Sequence, residues 1–246
     1  MQIITTAVIK GGTGKTTTAA ALAQAAAAEG QRVLCVDLDP QANFSYILAA
    51  DPNAPGSYQL LHGAPAGDLI QKTPQGLDVI PASPDLATEQ TKPNSARRLA
   101  DALEPIKNEY DFIFIDTAPT FGELTFNALR ASTGLLIPLE TDTNSLQGLY
   151  NVVDIARQMQ GHNDALQILG TVLTRYDGRS NLNKYLKATI EENGQEAGAP
   201  LLGTIRAGVA IREAQALQRN LYEYAPKSNP ARDYMELYNA IKQLEV

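Results

Sequence analysis

The stretch that most constrains the fold of this chain is "VIKGGTGKTT", residues 8–17, which places three glycines and a lysine between two apolar segments. The run "IITTAVI" before it predicts a buried strand. The alanine-rich residues Thr16–Glu29 predict a helix that Gly30 ends as a cap. Strand, glycine loop and helix in this order are typical of a phosphate-binding loop. The usual loop has a glycine at the position that Ile9 occupies here, and a lysine, Lys10, follows Ile9. The stretch is therefore a damaged nucleotide site, a chance run of glycines, or a different kind of site in which the extra lysine has its own task.

Composition narrows the class of protein. The chain has 246 residues, of which 44% are hydrophobic and 19% charged, and this excludes disordered and fibrous classes. The single cysteine, Cys35, cannot form an internal disulfide or hold a zinc ion or an iron–sulfur cluster by itself, and we expect a reducing, cytoplasmic compartment. We find no secretory leader and no long apolar run, and expect no membrane contact. The net charge of −7 means that any nucleic-acid surface must be a local patch.

Short apolar strands alternate with helical segments along the rest of the chain. The strands are expected in "RVLCVDLD", "LDVIPAS", "YDFIFIDTAP", "GLLIPLE", "LQILGTVLT" and "PLLGTI". The helices are expected around residues 95–108, 121–131, 145–159, 181–193, 210–218 and 230–244, with short helices within 40–76. This pattern predicts an α/β fold with a doubly wound, mostly parallel sheet and helices on both faces, forming a single domain over residues 1–246. Ligands bind such sheets at the carboxyl ends of the strands.

The glycine loop itself predicts a Mg·nucleotide site. Gly11, Gly12 and Gly14 allow phosphates to approach the backbone N–H groups closely. Lys15 is placed to reach the outer phosphates. The Thr16 hydroxyl would bind Mg²⁺, and Thr17 with the first N–H groups of the helix would hold the inner phosphate.

Three aspartates follow predicted strands. Asp116 ends "FIFID", where a carboxylate could orient a Mg²⁺-bound water. Asp37 and Asp39 stand two apart in "DLDPQAN", so they should point the same way from an extended strand and serve Mg²⁺ binding or water activation. The alternative for this pair is a helix cap for the segment after Pro40.

Five segments taken together identify a family. "KGGTGKTTT", "VDLDPQAN", "FIFIDTAP", "LLIPLETDTNSLQGL" and "EYAPKSNPARDYMEL" resemble the ParA-type partition ATPases, in the wider group with a deviant phosphate loop that includes MinD. The resemblance runs from the first strand to the last helix. Larger relatives carry an N-terminal helix-turn-helix that reads an operator, whereas the first strand here is expected at residue 2 or 3, so the chain resembles the small form and we do not expect operator-specific repression.

The resemblance implies a role for each matching residue. Lys10 would cross a dimer interface to the phosphates of the partner's ATP, so that two subunits enclose two nucleotides. Asp39 would position the attacking water, and Asp37 and Asp116 would belong to the Mg²⁺ network with Thr16. The implied nucleotide-binding set is Lys10, Gly11, Gly12, Thr13, Gly14, Lys15, Thr16 and Thr17, and the implied catalytic set is Lys10, Lys15 and Asp39.

The resemblance also implies partners. Hydrolysis in this group is slow until a centromere-binding adaptor of the ParB type intervenes, and the ATP homodimer binds nonspecific double-stranded DNA, which would make the protein nucleoid-associated. A local excess of basic residues supplies a candidate DNA surface. It comprises Arg206, Arg212, Arg219, Lys227 and Arg232, against Glu213 and Glu223.

Other functions remain open at this point. A cargo-positioning ATPase for a protein assembly would use the same chemistry, and an ATP-dependent metabolic ligase of the same superfamily would ignore DNA. A MinD-like membrane protein would end in a basic amphipathic helix, which "YNAIKQLEV" does not resemble. ATP is favoured over GTP because no Asn-Lys-x-Asp sequence follows a strand; "TRYD", residues 174–177, is at most distantly related.

Overall fold

One eight-stranded sheet organises the molecule in a computed structural model, which describes residues 1–89 and 97–244. The strands are β1 Gln2–Thr6, β2 Val33–Asp37, β3 Gln71–Lys72, β4 Asp78–Ile80, β5 Phe112–Asp116, β6 Gly134–Leu139, β7 Gln167–Tyr176 and β8 Leu201–Arg206. Their order is β3-β4-β2-β5-β1-β6-β7-β8, and every neighbouring pair is parallel except β3 with β4. The predicted α/β, mostly parallel, doubly wound sheet is confirmed.

Helices cover both faces of this sheet. They are α1 Lys15–Ala28, α2 Asn43–Ile47, α3 Ser57–Leu61, α4 Arg98–Leu103, α5 Glu123–Ala131, α6 Ser145–Gln160, α7 Asn181–Glu196, α8 Val209–Ala216, α9 Leu221–Tyr224 and α10 Asn229–Lys242. Short 3₁₀ helices lie at Ala66–Leu69, Pro84–Glu89 and Lys107–Glu109. α1 and α10 pack on one face, and α3 to α7 contribute to two hydrophobic clusters on the other.

The alternation of side chains along each strand explains why the strands are apolar throughout. Ile4 and Phe114 join the cluster under α1 and α10, whereas Ile3 and Ile113 join the cluster on the opposite face. All four are at most 5% exposed. Because successive residues of a strand point to opposite faces, a sheet covered on both sides needs apolar residues at every position.

The predicted cap of the first helix is also confirmed. Gly30 has a φ of 76°, and its N–H donates to the Ala27 carbonyl while the Gln31 N–H donates to that of Ala26. This left-handed cap satisfies the last carbonyls of α1 and turns the chain back toward β2.

Several element ends differ from the sequence prediction. The first apolar run was expected to stay extended to Ile9, but β1 ends at Thr6, because the chain must turn there to form the glycine loop. α9 and the two-residue β3 lack a strong periodic signal and were not predicted. The helix expected over residues 95–108 forms α4 and a later 3₁₀ turn, with residues 95–96 outside the described part. The final helix follows its prediction, although residues 245–246 of the chain end also lie outside that part.

The topology determines where a ligand can bind. β1 is central, with β5 and β2 on one side and β6 on the other, so the chain changes direction across the sheet beside β1. The loops that follow these parallel strands emerge at the same edge. The glycine loop after β1 therefore lies beside the ends of β2 and β5, at the position where doubly wound sheets bind ligands.

Candidate nucleotide-binding site

The glycine loop connects β1 to α1 at the centre of the sheet. Gly12 and Gly14 have φ angles of 79° and 88°, in the left-handed region where L side chains are strained. A Cβ added at Gly14 would also lie 3.2 Å from Cγ2 of Thr174. Both glycines are therefore required by the path of the loop, and that path brings backbone to the surface where a phosphate can approach.

Lys15 is the first residue of α1 and is only 6% exposed. Its Nζ donates to the carbonyl oxygen of Lys10 at 3.4 Å, so the side chain folds back over the loop. Burial lowers the pKa of Lys15, while the carboxylates of Asp116 and Asp39 act in the opposite direction. The ammonium thus lies across the loop, where a phosphate oxygen can replace the carbonyl as its acceptor.

Thr16 and Asp116, each predicted from the sequence to serve Mg²⁺, are in direct contact. The Thr16 hydroxyl donates to Oδ2 of Asp116 at 2.7 Å. Asp116 ends β5, is fully buried, and stands in register with Thr6 of β1 and Asp37 of β2. Burial and the neighbouring Asp37 carboxylate raise the pKa of Asp116 to about 8. Two adjacent buried carboxylates repel each other, and a cation bound here would relieve that repulsion.

Asp37 organises the loop that follows β2. Its Oδ1 accepts the Asp39 N–H at 3.0 Å, and its Oδ2 accepts the backbone N–H and the hydroxyl of Ser45 at 2.8 and 2.7 Å. Burial raises the pKa of Asp37 to about 6, although the bonds from Ser45 oppose this rise. The Ser45 hydroxyl in turn accepts the Ala82 N–H at 3.0 Å, so Asp37 ties the loops after β2 and β4 together beside the glycine loop.

Asp39 lies two residues beyond the end of β2. β2 ends at Asp37, so of the two aspartates only Asp37 lies in the strand, and the Asp39 N–H donates back to the Asp37 carboxylate. The helix-cap alternative is not observed: α2 has Ala42 as its N-cap and no side-chain cap bond. Asp39 Oδ1 accepts the Gln41 N–H at 3.0 Å, and the residue lines the same cleft as Lys15.

These oxygen donors suit magnesium. Mg²⁺ prefers hard oxygen ligands and commonly keeps several waters, with one or two protein groups and substrate phosphates completing its shell. Within residues 1–89 and 97–244, no group of three or more His, Cys, Asp or Glu side chains forms a metal cage. The Thr16 hydroxyl with the Asp116 carboxylate behind it fits a metal that is shared with a nucleotide, whereas Asp37 is already hydrogen-bonded to the loop and acts through it.

Lys10 lies at the surface rather than within the loop. Its Nζ is 2.5 Å from Oδ2 of Asp142, and the two side chains are 45% and 29% exposed. Asp142 follows β6, and its Oδ1 accepts the Asn144 N–H at 2.8 Å. Burial raises the pKa of Asp142, but the bond from Lys10 leaves it below its usual value. Lys10 can therefore contact a second molecule if its partly exposed ion pair with Asp142 breaks.

The loop opens into a cleft of about 990 Å³, which is large enough for a nucleotide. The segment after β8 forms its other wall. Gln215 of α8 donates to the Thr17 hydroxyl at 3.0 Å, which joins this wall to α1. Thr17, predicted to hold the inner phosphate, thus also receives a bond from the far side of the cleft.

Sequence reasoning missed several residues that support the loop. The Thr174 hydroxyl, at the end of β7, lies 2.7 Å from the Thr13 carbonyl and 3.2 Å from that of Leu139. Thr13 is itself 2% exposed, with its hydroxyl 3.5 Å from the Lys10 carbonyl. Thr174 is 161 residues from Thr13 along the chain, and no local spacing could have linked them. Asp142 and Gln215 were missed for the same reason, since they lie 132 and 198 residues from their partners Lys10 and Thr17.

The five basic DNA candidates fall into two groups. The Arg206 guanidinium forms a fork with the buried Asp233, with Nη2 2.5 Å from Oδ1 and Nε 3.0 Å from Oδ2. Arg212 lines the cleft, and the Arg219 guanidinium lies 5.5 Å from the centre of the Tyr224 ring. Lys227 and Arg232 are exposed around the start of α10. All five candidates are exposed, and Arg206, with 49% of its side chain exposed, is also held by the ion pair with Asp233.

In the part of the chain that the structure describes, none of the helices combines the length and apolar character needed to cross a bilayer.

Comparison with known proteins decides the family. A family model described as an AAA domain matches residues 1–168. The sporulation initiation inhibitor protein Soj of Bacillus subtilis is 36% identical over 237 residues, covering 93% of each chain. The chromosome-partitioning ATPase Soj of Thermus thermophilus is 34% identical over 231 residues, covering 93% of this chain and 90% of its own. The chain belongs to the ParA/MinD family of phosphate-loop ATPases.

Solved structures of similar proteins share the fold. The cell division ATPase MinD of Pyrococcus furiosus superposes with a TM-score of 0.82 at 28% identity, covering 99% of each chain. Cobyrinic acid a,c-diamide synthase of Mycobacterium smegmatis, with bound ADP and magnesium, gives a TM-score of 0.84 at 27% identity, covering 99% of this chain and 94% of its own. The resemblance inferred from the sequence is confirmed, and the ATP and Mg²⁺ expected from it are consistent with the ligands of the second structure.

Proposed function

We propose that this protein is a Mg·ATP-dependent partition ATPase whose ATP-bound homodimer binds nonspecific DNA and releases it after hydrolysis. The Thr16 hydroxyl binds Mg²⁺, Lys15 and the loop N–H groups bind the phosphates, and Asp39 positions the attacking water at the edge of the cleft. The similarity to a chromosome-partitioning ATPase over most of both chains supports this function.

The observation that carries the proposal is the position of Lys10. A buried lysine, Lys15, already serves the phosphate loop, so an exposed second lysine next to it is not needed for binding within one chain. Two facing nucleotide sites would repel each other through their phosphates, and a lysine from each subunit would reduce that repulsion. The exposed side chain of Lys10 fits this task across a dimer.

DNA binding is assigned to exposed basic residues near the cleft wall. Arg212, Arg219, Lys227 and Arg232 follow β8, and Gln215 of the same region contacts Thr17 beside the phosphate loop. The binding or hydrolysis of the nucleotide can therefore alter the position of this segment. The contacts of these basic side chains with DNA would be made to its phosphates and would weaken strongly as the salt concentration rises.

The proposed cycle needs a partner to control it. A centromere-binding adaptor of the ParB type would stimulate hydrolysis and release the dimer from the DNA, so that the protein acts on the nucleoid within the cytoplasm. The cargo is a plasmid or a chromosome.

Steady-state ATP hydrolysis with and without nonspecific double-stranded DNA, and DNA retention in ATP, ADP and no nucleotide, test this function. We expect retention in ATP alone, weakened by added salt, and lost in the Lys15→Ala variant because nucleotide binding fails. Retention that is equal in all three nucleotide states would contradict the proposed switch.

A metabolic ligase is the second candidate, and the likeness to cobyrinic acid a,c-diamide synthase favours it. Such an enzyme would use the same phosphate loop to activate a small molecule. ATP hydrolysis that does not respond to DNA, with no DNA binding in any nucleotide state, would select this function.

A further inference from the structure

Arg175, which follows Thr174 at the end of β7, has an unusual backbone. Its φ is 52°, a left-handed conformation that is uncommon for a residue with a long side chain. The register between β7 and β8 also shifts between Leu173 and Tyr176. Irregularities of this kind redirect side chains and are frequent beside active sites. Here the result is that Arg175 faces the nucleotide cleft while Thr174 supports the loop.

The Arg175 side chain lies beside the glycine loop. A Cβ added at Gly12 would be 3.9 Å from its Nη2, and the side chain is 61% exposed. The guanidinium forms an ion pair with Glu140, just after β6. Glu140 and Asp142 belong to one turn, in which the Asp142 N–H donates to the Glu140 carbonyl at 3.0 Å. This turn therefore pairs two carboxylates with the two cations beside the loop, Arg175 and Lys10.

The charges around the loop favour transfer of the Arg175 guanidinium from Glu140 to a bound phosphate. Lys15 is flanked by the carboxylates of Asp116 and Asp39, which offset its attraction for phosphates. A guanidinium presents planar donors that match phosphate oxygens in pairs. An exposed ion pair such as that with Glu140 contributes little in water, so a bound polyphosphate can displace the carboxylate.

We propose that Arg175 is a nucleotide-binding residue, which exchanges Glu140 for the phosphate chain of the nucleotide bound in its own subunit. This inference rests on the proposed function, because it requires that the glycine loop binds a nucleotide. It separates the tasks of the two exposed cations: Arg175 completes the site within one chain, and Lys10 acts on the partner's site.

The first test compares Arg175→Gln with Arg179→Gln by calorimetric titration of Mg·ADP, which keeps the measurement on one subunit because the proposed dimer forms with ATP. Arg179 is a matched control: it lies four residues further on, is 92% exposed in its side chain, and pairs with Asp177. We expect Arg175→Gln to weaken Mg·ADP binding about tenfold, as for one lost hydrogen-bonded charge. Arg179→Gln should stay within about twofold of the wild type.

A second variant distinguishes the loss of the guanidinium from a folding defect. Asparagine tolerates the left-handed region, so Arg175→Asn removes the guanidinium while preserving the backbone. Its midpoint of thermal unfolding without nucleotide should match that of the wild type, and its stabilisation by Mg·ADP should be reduced. Unchanged Mg·ADP affinity in both Arg175 variants, or equal losses in Arg175→Gln and Arg179→Gln, would overturn the inference.

Glu140→Gln tests the exchange itself. We expect it to tighten Mg·ADP binding about twofold to threefold in the wild type, since the displaced ion pair is weak, and to have no effect in the Arg175→Gln background. The same change in both backgrounds would show that Glu140 acts independently of Arg175 and would overturn the exchange. If the wild type itself bound neither Mg·ADP nor Mg·ATP, the proposed function would fail, and this outcome differs from all of those above.

Discussion

At the scale of single residues, the site is defined by carboxylates whose surroundings differ. Asp116 and Asp37 are fully buried side by side, and their pKa values rise, whereas Asp39 lies at the edge of the cleft with one oxygen bonded to Gln41. Within the buried pair, Asp116 accepts a hydrogen bond from Thr16, and Asp37 accepts hydrogen bonds from the segment that follows β2. Of the three, Asp39 lines the cleft, and it is the residue proposed above to position the attacking water.

Asp39→Ala tests that assignment. The variant should bind Mg·ATP, dimerise and remain on DNA, because Lys15 and the loop are intact, while ATP turnover falls by at least about a hundredfold through loss of the water-positioning group. Nucleotide affinity and phosphate release are measured on the same preparation. Turnover at the wild-type rate would remove Asp39 from the mechanism.

At the scale of elements, the ends of neighbouring strands support one another across long stretches of sequence. Thr174 of β7 bonds the Thr13 carbonyl, and Gln215 of α8 bonds Thr17. At the opposite edge, Asp111 just before β5 pairs with Arg32 just before β2. The glycine loop keeps its shape because adjacent elements satisfy its backbone groups, and these elements are fixed by the sheet.

Thr174→Val tests the support from β7. The shape of the side chain is preserved, but the carbonyls of Thr13 and Leu139 lose a donor, which should destabilise the protein by about 1–2 kcal/mol and weaken nucleotide binding. Urea unfolding and Mg·ADP titration measure the two effects. Thr189→Val on α7, where the hydroxyl bonds the Tyr185 carbonyl at an exposed position, is the matched control and should change neither strongly. Equal effects of the two variants would contradict a specific role for Thr174.

Asp111→Asn tests the link between β2 and β5. Hydrogen bonds from the Arg32 side chain and backbone N–H hold the pKa of Asp111 at about 2, below its usual value. Because the folded-state pKa is lowered, the stabilisation is fully present above the unfolded-state pKa near 4 and is lost as the pH falls through about 2. The wild type should therefore exceed the variant in urea midpoint at about pH 7, and this difference should shrink as the pH falls below about 4. A difference that does not change over this range would contradict the ion pair's contribution.

At the scale of the whole molecule, the exposed Lys10 is the feature that points beyond one chain. Its Nζ is 2.5 Å from Oδ2 of Asp142, and the residue lies next to the loop that ends in the buried Lys15. The net charge of −7 makes general attraction between two copies, or between the protein and DNA, unfavourable at long range. The association proposed above would therefore depend on local cations such as Lys10.

Lys10→Ala tests the dimer. The variant should bind Mg·ATP through Lys15 but stay monomeric and lose ATP-dependent DNA retention, since the partner's phosphates are no longer neutralised. Light scattering after size-exclusion chromatography in Mg·ATP measures the mass. Lys184→Ala, on α7, is the control and should dimerise normally. Dimers of Lys10→Ala in Mg·ATP would contradict the role proposed for Lys10.

Local patterns in the sequence were enough to predict the sheet, the glycine loop and the family. The alternation of apolar strands with helices predicted the parallel sheet, and the glycines with Gly-Lys-Thr predicted the loop between strand and helix. Asp116 was correctly placed on a strand next to the one that leads into the loop, because parallel strands end at one edge of a sheet. Family resemblance was also readable, since its motifs are short and ordered.

The distant side chains that complete the site could be identified only from the way the elements pack together. Thr174, Arg175 and Gln215 reach the loop through strand order, a register shift and helix packing, none of which leaves a local signal. The turn at Asp39 likewise depends on a hydrogen bond to Asp37 that periodicity cannot show. Local patterns fix elements because propensity and burial act over a few residues, whereas contacts between side chains far apart in sequence are set when the sheet brings their elements together.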